Sequence, residues 1–246
     1  MVEKEIEIKM ADGTCDAVLY QSEDGRRRPG AIHLPDIVSI RPSHREMARR
    51  LADVGYTVLL PNPFYRTARS PVYDFEPNFP DERTMKRMGE LAGPLTPEAM
   101  ERDAGSYVNF LATQKSVSDA AIGVVGYCFT GAMALRTAAA RPDRIGAAAS
   151  FHGGGLVTDG PTSPHLVLPR VKCRVYFGHA VNDQFMPQPA IDTLNAALNA
   201  WGGKYESEMY EGALHSWTVP DSPVYNKPQA ERAFVKLKEV FAATLK

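Results

Sequence analysis

The sequence contains few cysteines. Of its 246 residues only Cys15, Cys128 and Cys173 are cysteine, and they form no Cys-x-x-Cys pair. So small, odd and scattered a set cannot build a disulfide framework, and it lacks the spacing of a structural zinc site. We therefore expect a reducing compartment, and the predicted location is cytoplasmic.

Excess charge and long apolar runs are also absent. The net charge of −1 gives no electrostatic basis for binding nucleic acid or an acidic membrane. No apolar run is long enough for a membrane span, and the first residues lack the pattern of a signal peptide. Phosphate-loop, zinc-protease and EF-hand motifs are missing too. We expect no cofactor, no metal, no nucleic acid partner and no membrane partner.

The apolar segments that are present alternate between strand and helix patterns. The predicted strands cover residues 6–10, 17–20, 30–34, 57–60, 121–125, 145–151, 174–177 and 205–210. The predicted helices cover residues 43–52, with capping-box spacing between Ser43 and Glu46, and then 97–111, 129–140, 191–201 and 230–241. This alternation predicts an α/β fold with a mainly parallel sheet and helices on both faces. Residues 1–246 are predicted to form a single domain.

One segment is irregular. Residues 64–95 contain four prolines, and two interpretations remain open for them: a lid or pocket wall over the active-site face, or a short extra helix at 81–91.

The strongest chemical signal is the segment Gly126-Tyr127-Cys128-Phe129-Thr130-Gly131. A buried strand enters a tight turn between small residues and a helix leaves it, which is the pattern of a nucleophile elbow with sulfur as the nucleophile. The helix N-terminus places partial positive charge beside Cys128, which favours a thiolate. The alternative is a buried structural cysteine at a helix start.

A nucleophile elbow requires an acid and then a histidine further along the chain. His215 follows the last predicted strand and is the preferred base over His165 and His179, whereas His152 follows the elbow too closely. Asp183, in the loop after the preceding strand, is the preferred acid over Asp159 and Asp192. The alternatives are a surface loop histidine and a helix-capping aspartate.

Two backbone amides are predicted to form the oxyanion hole. One belongs to Phe129, directly after the nucleophile, and the other to Ile37, in the loop after the strand at 30–34. The glycine-rich run at 152–155 imitates an oxyanion motif but follows the elbow instead of preceding it. It is interpreted as a flexible loop at a strand end.

These residues resemble the dienelactone hydrolase family, cysteine-dependent members of the α/β-hydrolase fold. The resemblance rests on the elbow, on Asp183 and on His215-Ser216-Trp217, and it covers nearly the whole chain. It implies hydrolysis of a small lactone or ester. It also implies that Asp36 contacts the nucleophilic thiol and that Arg66 binds a substrate carboxylate.

The sequence departs from the family pattern at several positions. Val219 stands where relatives that act on carboxylated lactones carry a second arginine, and Thr130 stands where glycine is usual. Asp36 is one methylene shorter than the usual glutamate. The triad and fold are expected to survive these changes, whereas a carboxylated substrate is not implied securely.

Several alternatives stay open. Trp217 and Phe64 are candidates for an apolar substrate pocket, with core packing as the competing interpretation, and Arg66 could instead form a surface salt bridge. The leading hypothesis is an ester or lactone hydrolase that forms a thioester acyl-enzyme. A broad carboxylesterase or thioesterase is the second, and a redox-responsive thiol protein without enzymatic activity is the third.

Overall fold

The computed structural model describes residues 1–79 and 81–245. The strands are β1 (Val2–Met10), β2 (Gly13–Gln21), β3 (Gly30–Leu34), β4 (Thr57–Pro61), β5 (Ile122–Tyr127), β6 (Ile145–Phe151), β7 (Arg174–Ala180) and β8 (Tyr205–Tyr210). The helices are α1 (Pro42–Asp53), α2 (Glu82–Ala92), α3 (Pro97–Ala112), α4 (Thr130–Ala140), α5 (Gln188–Trp201) and α6 (Lys227–Ala242). A 3-10 segment at Pro164–Arg170, which the sequence did not predict, precedes β7.

The eight strands form one sheet in the order β1-β2-β4-β3-β5-β6-β7-β8. The strands from β4 to β8 in this order pair in parallel, while β1 and β2 add antiparallel edge pairs. The predicted α/β class with a mainly parallel sheet is therefore confirmed. Because β3, β5, β7 and β8 all run in one direction, the loops that follow them meet at the same edge of the sheet.

The helices cover both faces of this sheet. Residues of α1 and α6 pack into one apolar cluster, with Leu51 and Leu237 among its buried members. Residues of α2, α3, α4 and α5 pack into the cluster on the other face, with Leu91, Leu111 and Leu194 among its buried members. Among the strands between them, β3, β4 and β5 are buried at every position, as expected for the centre of a parallel sheet.

Helix starts show how local chemistry succeeded or failed as a predictor. The predicted start at residue 97 is confirmed, because Thr96 accepts a hydrogen bond of 3.2 Å from the Ala99 amide. The prediction that Ser43 caps helix α1 is wrong, because Ser43 lies inside the helix. Helix α1 begins at Pro42, because the φ angle of proline already suits the first turn of a helix. The preceding residue, Arg41, forms no side-chain capping hydrogen bond. In the irregular segment, α2 confirms the extra helix.

Among the described residues, no helix combines the length and the apolar character that crossing a bilayer requires.

Candidate active site

Cys128 lies in the tight turn between β5 and α4. Its backbone adopts φ of +54°, in the left-handed region that costs energy for a residue with a side chain. Gly126 allows this turn, because a Cβ atom there would lie 2.1 Å from the carbonyl oxygen of Thr130. The Thr130 hydroxyl bonds to the Leu34 carbonyl at 2.9 Å and accepts from the Tyr127 amide at 3.0 Å. Thr130, which stands where glycine is usual, therefore connects the elbow to the end of β3 through its hydroxyl.

His215 and Asp183 are in direct contact beside this turn. Nδ1 of His215 lies 2.7 Å from Oδ2 of Asp183. The other carboxylate oxygen accepts a hydrogen bond of 2.9 Å from the Phe185 amide, and the side chain of Asp183 is almost fully buried. The carboxylate is therefore fixed in the orientation that holds the imidazole.

The surroundings of His215 make it an unusually strong base. Burial alone would lower its pKa, but the hydrogen bond to Asp183 and the neighbouring Cys128 side chain outweigh burial and raise the pKa to about 10. Nε2, the other ring nitrogen, is buried and has no hydrogen bond of standard geometry among the described residues. With a pKa this high, His215 carries a proton at neutral pH.

His152 was not predicted to be a site residue, because it follows the elbow too closely to be the base. In the structure it forms a hydrogen bond with the backbone of the Cys128 turn. Its Nδ1 accepts a hydrogen bond of 3.1 Å from the Cys128 amide, and its Nε2 lies 2.7 Å from the Thr218 hydroxyl. Burial, followed by the nearby His215, holds the pKa of His152 well below its usual value, so the ring is neutral. The signal that could have found it is its position, directly after β6 at the edge where the other site residues lie.

The glycine-rich run after His152 packs against the elbow. The Gly154 amide donates to the Cys128 carbonyl at 3.2 Å, and a Cβ on Gly153 would lie 2.2 Å from Oγ of Ser150. The run lies directly after the end of β6, where the sequence predicted a loop. Gly153 has no room for a side chain, because the Ser150 side chain occupies the space beside it.

The two amides predicted to form the oxyanion hole belong to Phe129 and Ile37. Among the described residues, neither the Phe129 amide nor the Ile37 amide donates a hydrogen bond, whereas the neighbouring amides of Cys128 and Val38 do. The Phe64 and Phe129 rings lie 6.1 Å apart, so the irregular segment begins beside the elbow. Free amides at a sheet edge next to a nucleophile can bind a developing oxyanion.

Asp36 is engaged by residues other than Cys128. Arg41 donates to both of its carboxylate oxygens, at 2.7 and 2.9 Å, and Nε2 of His44 lies 3.2 Å away. Burial would raise the pKa of Asp36, but His44 and Arg41 outweigh it and hold the pKa well below its usual range. Among the described residues Asp36 forms no hydrogen bond with Cys128, and its carboxylate bonds to Arg41 instead.

Arg41 also reaches the loop that follows His215. Its Nε donates to Asp221 at 2.8 Å, so one guanidinium joins the loop of Ile37 to the loop of His215. Sequence reasoning missed this connection because Arg41 and Asp221 are far apart along the chain.

Arg66 is held in a salt bridge network. Its guanidinium donates to Asp12 at 2.7 Å and to Asp103 at 2.7 and 2.9 Å. The Asp103 side chain is only 1% exposed and also accepts from Tyr65. A substrate carboxylate would have to compete with two protein carboxylates for this guanidinium, so the salt bridge alternative describes what Arg66 does here.

Trp217, Phe64 and Val219 are all core residues. Each is at most 1% exposed, and Trp217 stacks on Tyr210 with ring centroids 4.8 Å apart. Core packing is therefore the interpretation that the structure supports for Trp217 and Phe64. Val219 presents no side chain to solvent.

Tyr73 is a buried tyrosine of the irregular segment. Its hydroxyl is buried without a hydrogen-bond partner among the described residues. Its pKa is raised to about 12, mainly by burial, with contributions from the charges of Asp36 and Cys128.

Comparison with known proteins identifies the family. The model of the dienelactone hydrolase family matches residues 15–245. The chain belongs to the dienelactone hydrolase family. It is 28% identical over 210 residues to a carboxymethylenebutenolidase of Rhodococcus opacus, covering 83% of this chain and 78% of that protein. It is 26% identical to a carboxymethylenebutenolidase of Pseudomonas putida, covering 92% of this chain and 90% of that one.

Solved structures agree on the fold of this dienelactone hydrolase family member. The crystal structure of a putative dienelactone hydrolase from Klebsiella pneumoniae superposes with a TM-score of 0.87 over 98% of both chains, at 19% identity. A dienelactone hydrolase from Anabaena variabilis gives a TM-score of 0.70 over 100% of this chain and 99% of that chain, at 18% identity. Membership of the family indicates a hydrolase that acts on a lactone or an ester.

Proposed function

We propose that this chain hydrolyses a small ester or lactone through a thioester formed on Cys128. The observation that carries the proposal is the 2.7 Å contact between His215 and Asp183 beside the Cys128 turn. Asp183 orients the imidazole, and His215 takes the thiol proton through Nε2. A pKa of about 10 keeps that proton on His215 at neutral pH, which favours a thiolate on Cys128.

The first half-reaction forms the acyl-enzyme. Sγ of Cys128 bonds to the carbonyl carbon, and the electron pair moved onto the oxygen is stabilised by the amides of Phe129 and Ile37. The carbon–oxygen bond to the alcohol then breaks as the carbonyl re-forms. Protonated His215 gives its proton to the departing oxygen, so a thioester and an alcohol, or the ring-opened form of a lactone, result.

The second half-reaction releases the acid. His215 removes a proton from a water molecule, whose oxygen bonds to the thioester carbon, and the carbon–sulfur bond breaks. The proton held by His215 returns to the sulfur. Thiolates react best when the leaving group needs little protonation, so activated esters and enol lactones are the expected substrates and amides are not.

The experiment compares wild type with three variants on p-nitrophenyl acetate. Cys128→Ala and His215→Ala are expected to lose turnover, and Asp183→Asn is expected to lower kcat by at least about a hundredfold because the imidazole loses its orienting partner. Mass spectrometry of quenched wild type should find the acetyl group on Cys128. Wild-type turnover no higher than that of either alanine variant would overturn the proposal.

The salt bridges of Arg66 favour an uncharged acyl portion, as in a carboxylesterase, over a carboxylated lactone. The matched pair p-nitrophenyl butyrate and mono-p-nitrophenyl succinate tests this directly, because the two substrates differ by a terminal carboxylate. We expect the higher kcat/KM for the butyrate. An enol lactone and an acyl-CoA, assayed in parallel, separate a lactone hydrolase from a thioesterase.

The mechanism also requires a reduced sulfur. All three cysteines are free, and Cys128 is partly exposed. A cytoplasmic location would keep this thiol reduced. Cell fractionation tests the location, and recovery of the protein only from an oxidising compartment would contradict it.

A further inference from the structure

A cavity of about 490 Å³ lies between α1 and α6, on the face of the sheet opposite α4. Tyr127 and Phe151 line it at the ends of β5 and β6, and Leu51, Phe234 and Leu237 line it from the helices. Its volume falls within the range of small-molecule sites. Cys128, Asp183 and His215 are not among its lining residues, so it is separate from the proposed catalytic centre.

His33 is a lining residue of this cavity and carries an unsatisfied polar atom. The side chain lines the cavity and is 1% exposed overall. Nε2 lies 2.9 Å from Nδ1 of His44, while Nδ1 of His33 has no hydrogen-bond partner among the described residues. A buried polar atom left without a partner costs about 1–3 kcal/mol. A ligand in the cavity could supply the missing partner.

The hydrogen bonds around His44 determine what His33 offers. The Asp36 amide, whose hydrogen is fixed by the peptide plane, donates to Nε2 of His44 at 3.2 Å. A neutral His44 therefore carries its proton on Nδ1 and donates it to Nε2 of His33. If His44 is instead protonated and pairs with the Asp36 carboxylate, Nδ1 still donates to His33. Burial keeps His33 neutral by lowering its pKa, so its single proton is on Nδ1.

The charges along the cavity cancel. Glu46 and Glu231 oppose Arg50 and Lys227, and Arg50 already forms a salt bridge with Glu231. A charged ligand gains no net attraction from such a lining. The walls are largely aromatic and aliphatic, and they suit a ring system.

We propose that this cavity is a second small-molecule site, which takes an uncharged ring compound whose carbonyl oxygen accepts a hydrogen bond from Nδ1 of His33. Occupants would contact Tyr127, which directly precedes Cys128, and Thr218, which bonds to His152. The site therefore adjoins the residues that support the elbow without including the nucleophile.

Acetophenone is the probe, and α-methylstyrene is its near-isosteric control without an acceptor. Binding is followed by NMR on protein whose Cys128 has been alkylated with iodoacetamide, so that the catalytic centre is blocked. We expect saturable shifts of the Ala230 and Ala233 methyl signals, with acetophenone bound about fivefold more tightly than α-methylstyrene, as one hydrogen bond provides. Equal affinity for the two compounds, or no saturable shift, would overturn the proposal.

Two further measurements make the test specific to His33. His33→Phe keeps a ring but removes the donor and should abolish the preference for acetophenone, whereas His165→Phe, the same change outside the cavity, should keep it. Nitrogen-15 histidine spectra of unmodified wild type test the same point without a variant. They should show His33 protonated on Nδ1, and a proton on Nε2 instead would contradict the proposed donor.

Discussion

The backbone amide of Cys128 donates a hydrogen bond of 3.1 Å to Nδ1 of His152, and it also approaches the Phe151 carbonyl at 3.2 Å. Because the amide hydrogen is fixed, Nδ1 of His152 is the acceptor and Nε2 carries the proton given to Thr218. A neutral histidine thus accepts a hydrogen bond from the strained turn. We therefore predict that His152 acts as a positioning residue for Cys128.

Replacing His152 tests this role. His152→Phe keeps the ring but removes the acceptor, and we expect kcat on p-nitrophenyl acetate to fall about five- to tenfold, the equivalent of one neutral hydrogen bond. KM should change little. His152→Asn, whose amide oxygen can accept from the Cys128 amide, should recover part of the loss. A kcat for His152→Phe equal to that of wild type would refute the role.

The raised pKa of His215 predicts a specific pH dependence of stability. The group titrates near its ordinary value of 6.5 when unfolded and at about 10 when folded. The folded state binds the proton more tightly, so its contribution to the free energy of unfolding is complete below about pH 6.5 and is lost as the pH rises through about 10.

NMR titration of the His215 ring is the direct measurement. Wild type should titrate well above pH 7, and Asp183→Asn should shift the titration downward, because burial then acts with less opposition. The same variant should flatten the loss of stability between pH 6.5 and 10 in urea unfolding experiments. A wild-type titration at or below pH 6.5 would show that Asp183 and Cys128 do not outweigh burial.

The ion pair of Asp36 and Arg41 predicts acid sensitivity. Arg41→Gln leaves the Asp36 carboxylate buried with only His44 beside it, and we expect a loss of about 3 kcal/mol in the free energy of unfolding. The contribution of Asp36 is present above the ordinary aspartate pKa and is lost as the pH falls through its lowered folded value. Acid unfolding of Arg41→Gln should therefore begin at a higher pH than that of wild type.

Asp221→Asn is the matched control for Arg41. It removes only the partly exposed partner and should cost less than about 1 kcal/mol. Equal free energies of unfolding for Arg41→Gln and Asp221→Asn would show that the pair of Arg41 with buried Asp36 adds no stability beyond its pair with Asp221.

Arg66 is predicted to serve stability and not substrate recognition. Arg66→Met leaves Asp103 buried without its ion pair, and we expect a loss of about 3 kcal/mol by urea unfolding. The ratio of kcat/KM for mono-p-nitrophenyl succinate and p-nitrophenyl butyrate should not change. Arg69→Met removes an exposed pair with Glu7 and should be close to neutral. A selective loss of succinate hydrolysis in Arg66→Met would restore the role in binding an anion.

The sequence by itself determined the α/β class, the strand–turn–helix around Cys128 and the positions of Asp183 and His215 after strands. These features are local, because the periodicity of apolar residues and the small residues of a tight turn are written in short segments. The start of α1 was predicted wrongly because two local signals compete there. The capping-box spacing at Ser43 indicates one start, and Pro42, whose φ already suits a helix, indicates the other.

Only the tertiary structure decided which partner each charged or aromatic side chain takes. Asp36 pairs with Arg41 and His44, Arg66 pairs with Asp12 and Asp103, and Trp217 is buried against Tyr210. The role of His152 likewise depends on β5 and β6 ending side by side. Such choices depend on distances between residues far apart in sequence, and burial sets their strength because charges attract more strongly where water is excluded. The scarcity of cysteine predicted a compartment, whereas the folded chain places one of the three sulfurs beside a histidine that can take its proton.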